Sequence, residues 1–336
     1  MSELNKIALK IMSKGKGILA ADESNGTMTK RLEAVNVKST IETRLKFRET
    51  LFSSECIKEC IGGVILYDET INQVSKSGLT IPDMITNAGS VPGIKVDTGA
   101  KVLANSKDEK ITEGLDGLRE RLNKYYKLGA RFTKWRGVYS ISDKYPSKLA
   151  ILTNAHALAR YSALVQESRM VPIIEPEVLM DGNHSANDCF KKTSEIIQKC
   201  FEELILHKVD LSGIILKPNM ILDGNLTKNK ISKEEVAIKT LECLKNNVPN
   251  EVPGITFLSG GQSEIEATEN LNLINQKNNT NFIMSYSYGR ALQQSALKIW
   301  SRNIDDIKKT QNVFNHRAKM CTLAAQGKWS IDLENK

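Results

Sequence analysis

An α/β fold, closing into a barrel of eight parallel strands that alternate with helices, is predicted for this 336-residue chain on three observations. Eight short β-branched or apolar runs recur along it. Their starts lie 27 to 44 residues apart, room each time for a loop, a helix and a second loop. The segments between them carry helical spacing and helix caps. Near-continuous apolar strands alternating with helices indicate a parallel sheet covered by helices. Eight such units favour closure into a (β/α)8, or TIM, barrel over an open doubly wound sheet.

The runs, in order, are residues 17–23 (GILAADE), 61–67 (IGGVILY), 92–97 (PGIKVD), 132–138 (FTKWRGV), 171–177 (VPIIEPE), 213–218 (GIILKP), 254–259 (GITFLS) and 281–288 (NFIMSYSY). Between the third and fourth, Leu115, Leu118, Leu122 and Tyr125 recur at helical spacing up to Gly129, a natural C-cap. Ser147 opens a long Ala/Leu-rich helix reaching about Glu167. Phe190, Ile197, Phe201 and Leu204 line one face of the next. Ser232 with Glu235, and Ser263 with Glu266, read as capping boxes that start two more helices. After the eighth run the chain from Ile304 to Gln326 is again helical. With no Pro/Gly-rich break, a single domain over residues 1–336 is expected, its barrel about 17–300 and a C-terminal helical extension about 304–336.

Composition excludes several classes. With 40% apolar and 26% charged residues the chain has the material for a core and is not a disordered one. No apolar run approaches the roughly 18–20 residues of a membrane span, so no membrane insertion is expected. Lys10, Lys14 and Lys16 interrupt what would be the apolar stretch of a signal peptide. Six cysteines without CxxC spacing read as free thiols in a reducing, cytoplasmic setting. The four histidines (156, 184, 207 and 316) form no HxH or HExxH, so no metal site is expected, although ligands scattered in sequence can converge in space. There is no GxGxxG after a strand and no GxxxxGK[ST], which sets nucleotide folds aside. The formal charge of +8 admits nucleic acid, an acidic membrane surface or an anionic small substrate. The lysines form no dense block.

In such a barrel the functional face lies at the C-terminal ends of the strands, and polar residues gather there. The first run ends in Asp22 and Glu23, and the third carries Lys95 and Asp97. Lys134 and Arg136 are two apart on the fourth, and Glu175 and Glu177 have the same spacing on the fifth. Lys217 ends the sixth. Charges inside apolar strands are costly unless paired. Any one of these residues reads as well as a structural ion pair, but so many at strand ends point to one pocket.

Lys217 follows Ile214-Ile215-Leu216, so its amine is expected in a poorly hydrated interior beside the cations Lys134 and Arg136. Burial and like charge push a lysine well below its usual pKa of about 10.4. A neutral amine attacks a ketone and forms an imine. Glu175 and Glu177 are placed to supply the proton transfers of that step, and Asp22 to take a proton from a substrate hydroxyl farther along. Counting Lys217 as neutral, the pocket carries an excess of two positive charges, so most of the +8 lies elsewhere.

Two anion sites flank the lysine. Ser259-Gly260-Gly261 joins the seventh strand to a capped helix, and Ser287, Gly289 and Arg290 follow on the eighth; loops after strands seven and eight are the usual phosphate site of this fold. Ser24, Thr27, Lys30 and Arg31 form a second candidate after strand one, where the Lys30–Arg31 pair reads equally as a solvated helix face. Two such sites suit a substrate phosphorylated at both ends.

The segments GKGILAADES, GIKVD, KWR, EPE, LKPNM, FLSGGQS and SYGRALQ stand in the order found in class I fructose-bisphosphate aldolases, which the chain resembles from about residue 4 to about residue 328. The resemblance implies a cytoplasmic, glycolytic and gluconeogenic lyase that cleaves fructose 1,6-bisphosphate through a lysine Schiff base, without metal or cofactor. It implies Lys217 as the Schiff-base lysine, Glu175 as acid and base with Glu177 beside it, Lys134 as a handler of charge and Asp22 as the group acting on the C4 hydroxyl. By the same likeness Ser259, Gly260, Gly261, Ser287, Gly289 and Arg290 match the C1-phosphate site. Ser24, Thr27, Lys30, Arg31 and Lys95 lie at the C6 end, with Arg136 nearby. A homotetramer acting on sugar phosphates, with secondary cytoskeletal binding and no nucleic-acid role, is the implied set of partners. Family members carry a tail of about 20 residues closing on a tyrosine, whereas the last tyrosine here is Tyr288. The rival readings are another lysine-imine sugar-phosphate lyase, which needs only one phosphate site, and a barrel kept as a binding scaffold, which does not need Lys217, Glu175 and Asp22.

Overall fold

Alternation along each strand decides what the barrel contains. The computed structural model describes residues 1–335, and its strands are β1 (Gly17–Ala20), β2 (Ile61–Leu66), β3 (Val91–Lys95), β4 (Gly99–Val102), β5 (Lys110–Glu113), β6 (Phe132–Tyr139), β7 (Val171–Val178), β8 (Ile215–Leu216), β9 (Gly254–Phe257) and β10 (Ile283–Tyr288). Eight of them close in the order β1-β2-β3-β6-β7-β8-β9-β10, every pair parallel. The eight-stranded (β/α)8 barrel expected from the sequence is present.

Successive side chains on a strand point to opposite faces. On the inner face Ile18, Ile65, Val91, Phe132, Val171, Ile173 and Ile215 form one buried apolar cluster. Ala8, Ile11 and Met12, from and just after the helix Glu3–Ile11, join that cluster and plug the N-terminal end of the barrel. The outer face, with Trp135, Ile174, Leu216, Tyr286 and Tyr288, packs instead against the helices. Beyond the apolar layer the inner face turns polar: Phe132 gives way to Lys134 and Arg136, Ile173 to Glu175 and Glu177, and Ile215 to Lys217. These polar side chains therefore stand on a buried apolar layer.

The helices expected from caps and spacing are found at Leu118–Lys127, Lys148–Glu167, Ala186–Leu206, Lys233–Asn247, Glu264–Lys277 and Ile307–Ala324. Both anticipated capping boxes are formed, at Ser232/Glu235 and Ser263/Glu266. Besides strand ends displaced by one to three residues, which leave Asp22, Glu23 and Asp97 just past their strands, two features differ from the sequence reading. The sixth run is strand only at Ile215–Leu216, because Asp210 caps a 3-10 turn over Leu211–Gly213 that occupies its start. In addition, β4 and β5 form an antiparallel hairpin outside the barrel. No helix among the described residues is long and apolar enough to cross a membrane.

Candidate active site

All of the residues singled out from the sequence line one open cleft of about 680 Å³ at the C-terminal ends of the barrel strands. That volume suits a phosphorylated sugar, within the range of about 300–1,000 Å³ usual for small-molecule sites.

At its floor four side chains are linked in a row. Lys217 Nζ lies 3.0 Å from Glu175 Oε1, Glu175 Oε2 lies 3.2 Å from Lys134 Nζ, and Lys134 Nζ lies 2.7 Å from Asp22 Oδ2. Lys217, Glu175 and Lys134 are each no more than 4% exposed. Backbone pairing sets these positions. The Lys217 N–H donates to the Ile174 carbonyl of β7 at 2.8 Å, and the Ala21 N–H donates to the Ile65 carbonyl of β2 at 3.0 Å. Both ends of the row are thus tied to neighbouring strands. On the wall above, Glu177 pairs with Arg136 and Asp97 with Lys95, the latter at 2.8 Å.

The upper rim offers backbone N–H groups. Gly260 and Gly261 have φ of +55° and +89°, a left-handed pair that needs glycine; such a turn aims successive N–H groups at one point. Gly289 precedes the helix Arg290–Trp300, whose N-terminus opens on the cleft. The Ser287 hydroxyl is buried there without a protein partner. Across the cleft Ser24 caps the helix Asn25–Glu33, accepting from the Thr27 N–H at 3.3 Å, with Lys30 and Arg31 one turn on.

The family model for fructose-bisphosphate aldolase class-I matches residues 3–336. The chain belongs to this family. Its relatives include the probable fructose-bisphosphate aldolase class 1 of Xylella fastidiosa (strain 9a5c), 46% identical over 98% of this chain and 99% of that one. Fructose-bisphosphate aldolase C of Rattus norvegicus is 48% identical over 97% of this chain and 91% of its own length. Among solved structures, the fructose-bisphosphate aldolase of Plasmodium falciparum, determined in complex with TRAP and a small molecule inhibitor, has a TM-score of 0.96 at 42% identity. The match covers 98% of this chain and 95% of that one. The enzyme is accordingly a glycolytic lyase that cleaves fructose 1,6-bisphosphate reversibly to dihydroxyacetone phosphate and glyceraldehyde 3-phosphate through a lysine Schiff base.

The sequence reading set the cations Lys134 and Arg136 beside Lys217 with an acid in reach of its amine; in the enzyme's cleft the Glu175 carboxylate lies between the amines of Lys217 and Lys134. Burial pushes the Glu175 carboxyl up, but Lys134, Lys217 and Arg136 more than offset this and hold it below its ordinary value. Burial likewise opposes the Asp22 carboxylate, yet Lys134 and Lys217 bring it down to about 2. Lys134 is the converse case: burial disfavours its charge, and Asp22 and Glu175 raise it far above the usual lysine value. Its two carboxylate neighbours therefore favour the charged form of Lys134.

A prediction about acid stability follows. A carboxyl whose folded pKa is depressed contributes stability above its unfolded value, and loses it as pH falls through the folded value. Between about pH 5 and pH 2 the wild-type enzyme is expected to lose about 2 kcal/mol through Asp22 alone. Thermal melts across that range should show a flatter profile for Asp22→Asn; parallel profiles would remove the Lys134–Asp22 pairing from the description.

At the candidate anion site near strand one the Arg31 guanidinium also pairs with Glu23. The buried Arg48 bonds the Glu23 carbonyl at 2.7 Å, and Gln293 donates to the Ala20 carbonyl at 2.7 Å. These groups pin the turn that carries Asp22. Sequence reasoning missed Arg48 and Gln293, since each looks like an ordinary polar position on a helix. Asp22, Glu23, Asp97, Glu175 and Glu177 balance Arg31, Lys95, Lys134, Arg136 and Lys217. Among the described residues lining the cleft, the cations left without a carboxylate partner are Lys30 and Arg290.

Proposed function

We propose that Lys217 is the lysine that forms the Schiff base, with Glu175 as its proton partner, Lys134 as a fixed cation and Asp22 as the base at the C4 hydroxyl. The observation that carries this reading is the unbroken row Lys217–Glu175–Lys134–Asp22 on a water-poor floor. Glu175 takes a proton from the Lys217 ammonium at 3.0 Å, which frees the amine to attack the C2 ketone of the opened sugar. The resulting carbinolamine hydroxyl accepts that proton back and leaves as water, giving the iminium. Asp22, kept ionised by Lys134, then removes the C4-hydroxyl proton. The C3–C4 bond breaks, its electron pair passes to the iminium as an enamine, and glyceraldehyde 3-phosphate departs. Protonation at C3 and hydrolysis return dihydroxyacetone phosphate and the lysine. Glu177 orients Arg136 beside this row.

The substrate's ends divide between the two rims. Ser259, Gly260, Gly261, Ser287, Gly289 and Arg290 hold the C1 phosphate. Ser24, Thr27, Lys30, Arg31, Lys95 and Arg136 hold the C6 end, where Lys30 supplies the uncompensated charge. We also take residues 1–336 to act as one domain and the enzyme to be a cytoplasmic homotetramer. The cytosolic aldolase of Arabidopsis thaliana, 46% identical, supports that location.

The two rims are separable by kinetics. A charged hydrogen bond contributes about 1.5–3 kcal/mol, so Arg290→Ala is expected to raise KM by about 10- to 100-fold for fructose 1,6-bisphosphate and fructose 1-phosphate alike. Lys30→Ala should raise it for the bisphosphate only. Equal effects of Lys30→Ala on both substrates would contradict the assignment of the C6 end.

A further inference from the structure

Two of the chain's four histidines, dispersed in sequence, meet on the outside of the helical layer. His156 projects from the helix Lys148–Glu167, while Glu203 and His207 belong to the end of the helix Ala186–Leu206. The His156 Nδ1 lies 3.0 Å from Glu203 Oε2, and the His207 Nδ1 lies 3.8 Å from the same oxygen. The imidazole centroids are 4.9 Å apart. One nitrogen or oxygen from each of the three residues falls within 4.8 Å of the others. None of the three lines the catalytic cleft.

We propose that His156, Glu203 and His207 form a surface site for a divalent transition-metal ion of the zinc class. The donor set is two imidazoles and one carboxylate, which suits zinc and its neighbours rather than magnesium or calcium, whose preferred shells are built from oxygen. Tetrahedral zinc with bonds of about 2.0–2.1 Å needs donors roughly 3.3 Å apart, so the cluster closes on the ion by small side-chain rotations. His156 has room for them, since about half of its side chain is exposed. Binding through His207 Nδ1 replaces the hydrogen bond this nitrogen makes to the Glu203 carbonyl at 2.8 Å, whereas binding through Nε2 keeps that bond as the orienting contact ligating histidines commonly have.

Local charge points the same way. Glu203 sits in the last turn of a 21-residue helix, where the helix dipole disfavours a carboxylate, and that turn holds no basic side chain. Among the described residues its only ion-pair partners are the two imidazoles. A divalent cation satisfies the carboxylate, both rings and the helix end together. It would also join the helix that precedes β7, the strand of Glu175, to the helix that precedes β8 and Lys217. Its consequence is stability of the barrel wall, with the imine chemistry unaffected.

The test uses the full-length enzyme stripped with EDTA and titrated with zinc ion by calorimetry, and with cobalt ion by visible absorption. The expected result is saturable binding of one ion per chain, tetrahedral cobalt bands, and a Tm about 4 °C higher at a 100-fold excess over Kd. Fructose 1,6-bisphosphate turnover at 25 °C should be the same in stripped and loaded enzyme. His156→Ala and Glu203→Gln, on different helices, should each weaken zinc binding at least about tenfold and remove the Tm shift. Absence of saturable binding overturns the proposal, and so does wild-type zinc affinity in either variant.

Discussion

Replacing Lys217 by Met is expected to lower turnover of fructose 1,6-bisphosphate by about 10⁴-fold or more while the barrel stays folded. Methionine matches the length of the lysine stem and meets the apolar layer below it, where Ile173 and Ile215 are fully buried. The main chain is held independently of the side chain by the N–H donated to Ile174. Glu175 is not orphaned, because Lys134 remains 3.2 Å away. Lys134 does not replace the missing nucleophile, since Asp22 and Glu175 hold it as an ammonium. Steady-state rates together with a thermal melt check this; wild-type rates in the variant would place the covalent chemistry elsewhere.

Glu175→Gln has the second largest expected effect. Glutamine preserves shape and hydrogen bonding but takes no proton from Lys217, so kcat should fall by about 10²–10⁴-fold. KM should change little, because position 175 lies on the floor and not at either phosphate rim. The variant also leaves two buried ammonium groups to share Asp22. Removing one partner of a buried pair costs about 3–5 kcal/mol, so a lower Tm is expected alongside. A kcat within threefold of wild type would show that Glu175 is a structural counter-ion.

The strands and helices of this enzyme were legible because each is declared locally. Apolar β-branched runs such as VPII, and caps such as Ser232 with Glu235, need no distant partner to be read. The hairpin β4–β5 was not, since its four-residue strands are largely exposed and carry Lys101, Lys110 and Glu113 in place of an apolar alternation. The role of the helix Glu3–Ile11 as the barrel's plug was equally hidden. Its Ala8 and Ile11 find their partners on strands up to about 200 residues away.

For the site, residue types and strand ends sufficed to bring every named candidate to one cleft. Which charge meets which depended on the barrel's register. Glu175 stands opposite Arg136 in the β6–β7 ladder yet reaches Lys134 and Lys217, a choice that only the closed sheet makes. The pairing of Arg31 with Glu23, by contrast, is local, joining the turn after β1 to the helix that follows it.

The central claim, that Lys217 carries the imine, is tested most directly by borohydride reduction of the enzyme in the presence of dihydroxyacetone phosphate, followed by peptide mapping. The expected result is one reduced adduct on the peptide containing Lys217, absent from Lys217→Met. An adduct on another lysine, or none at all with active enzyme, would contradict it.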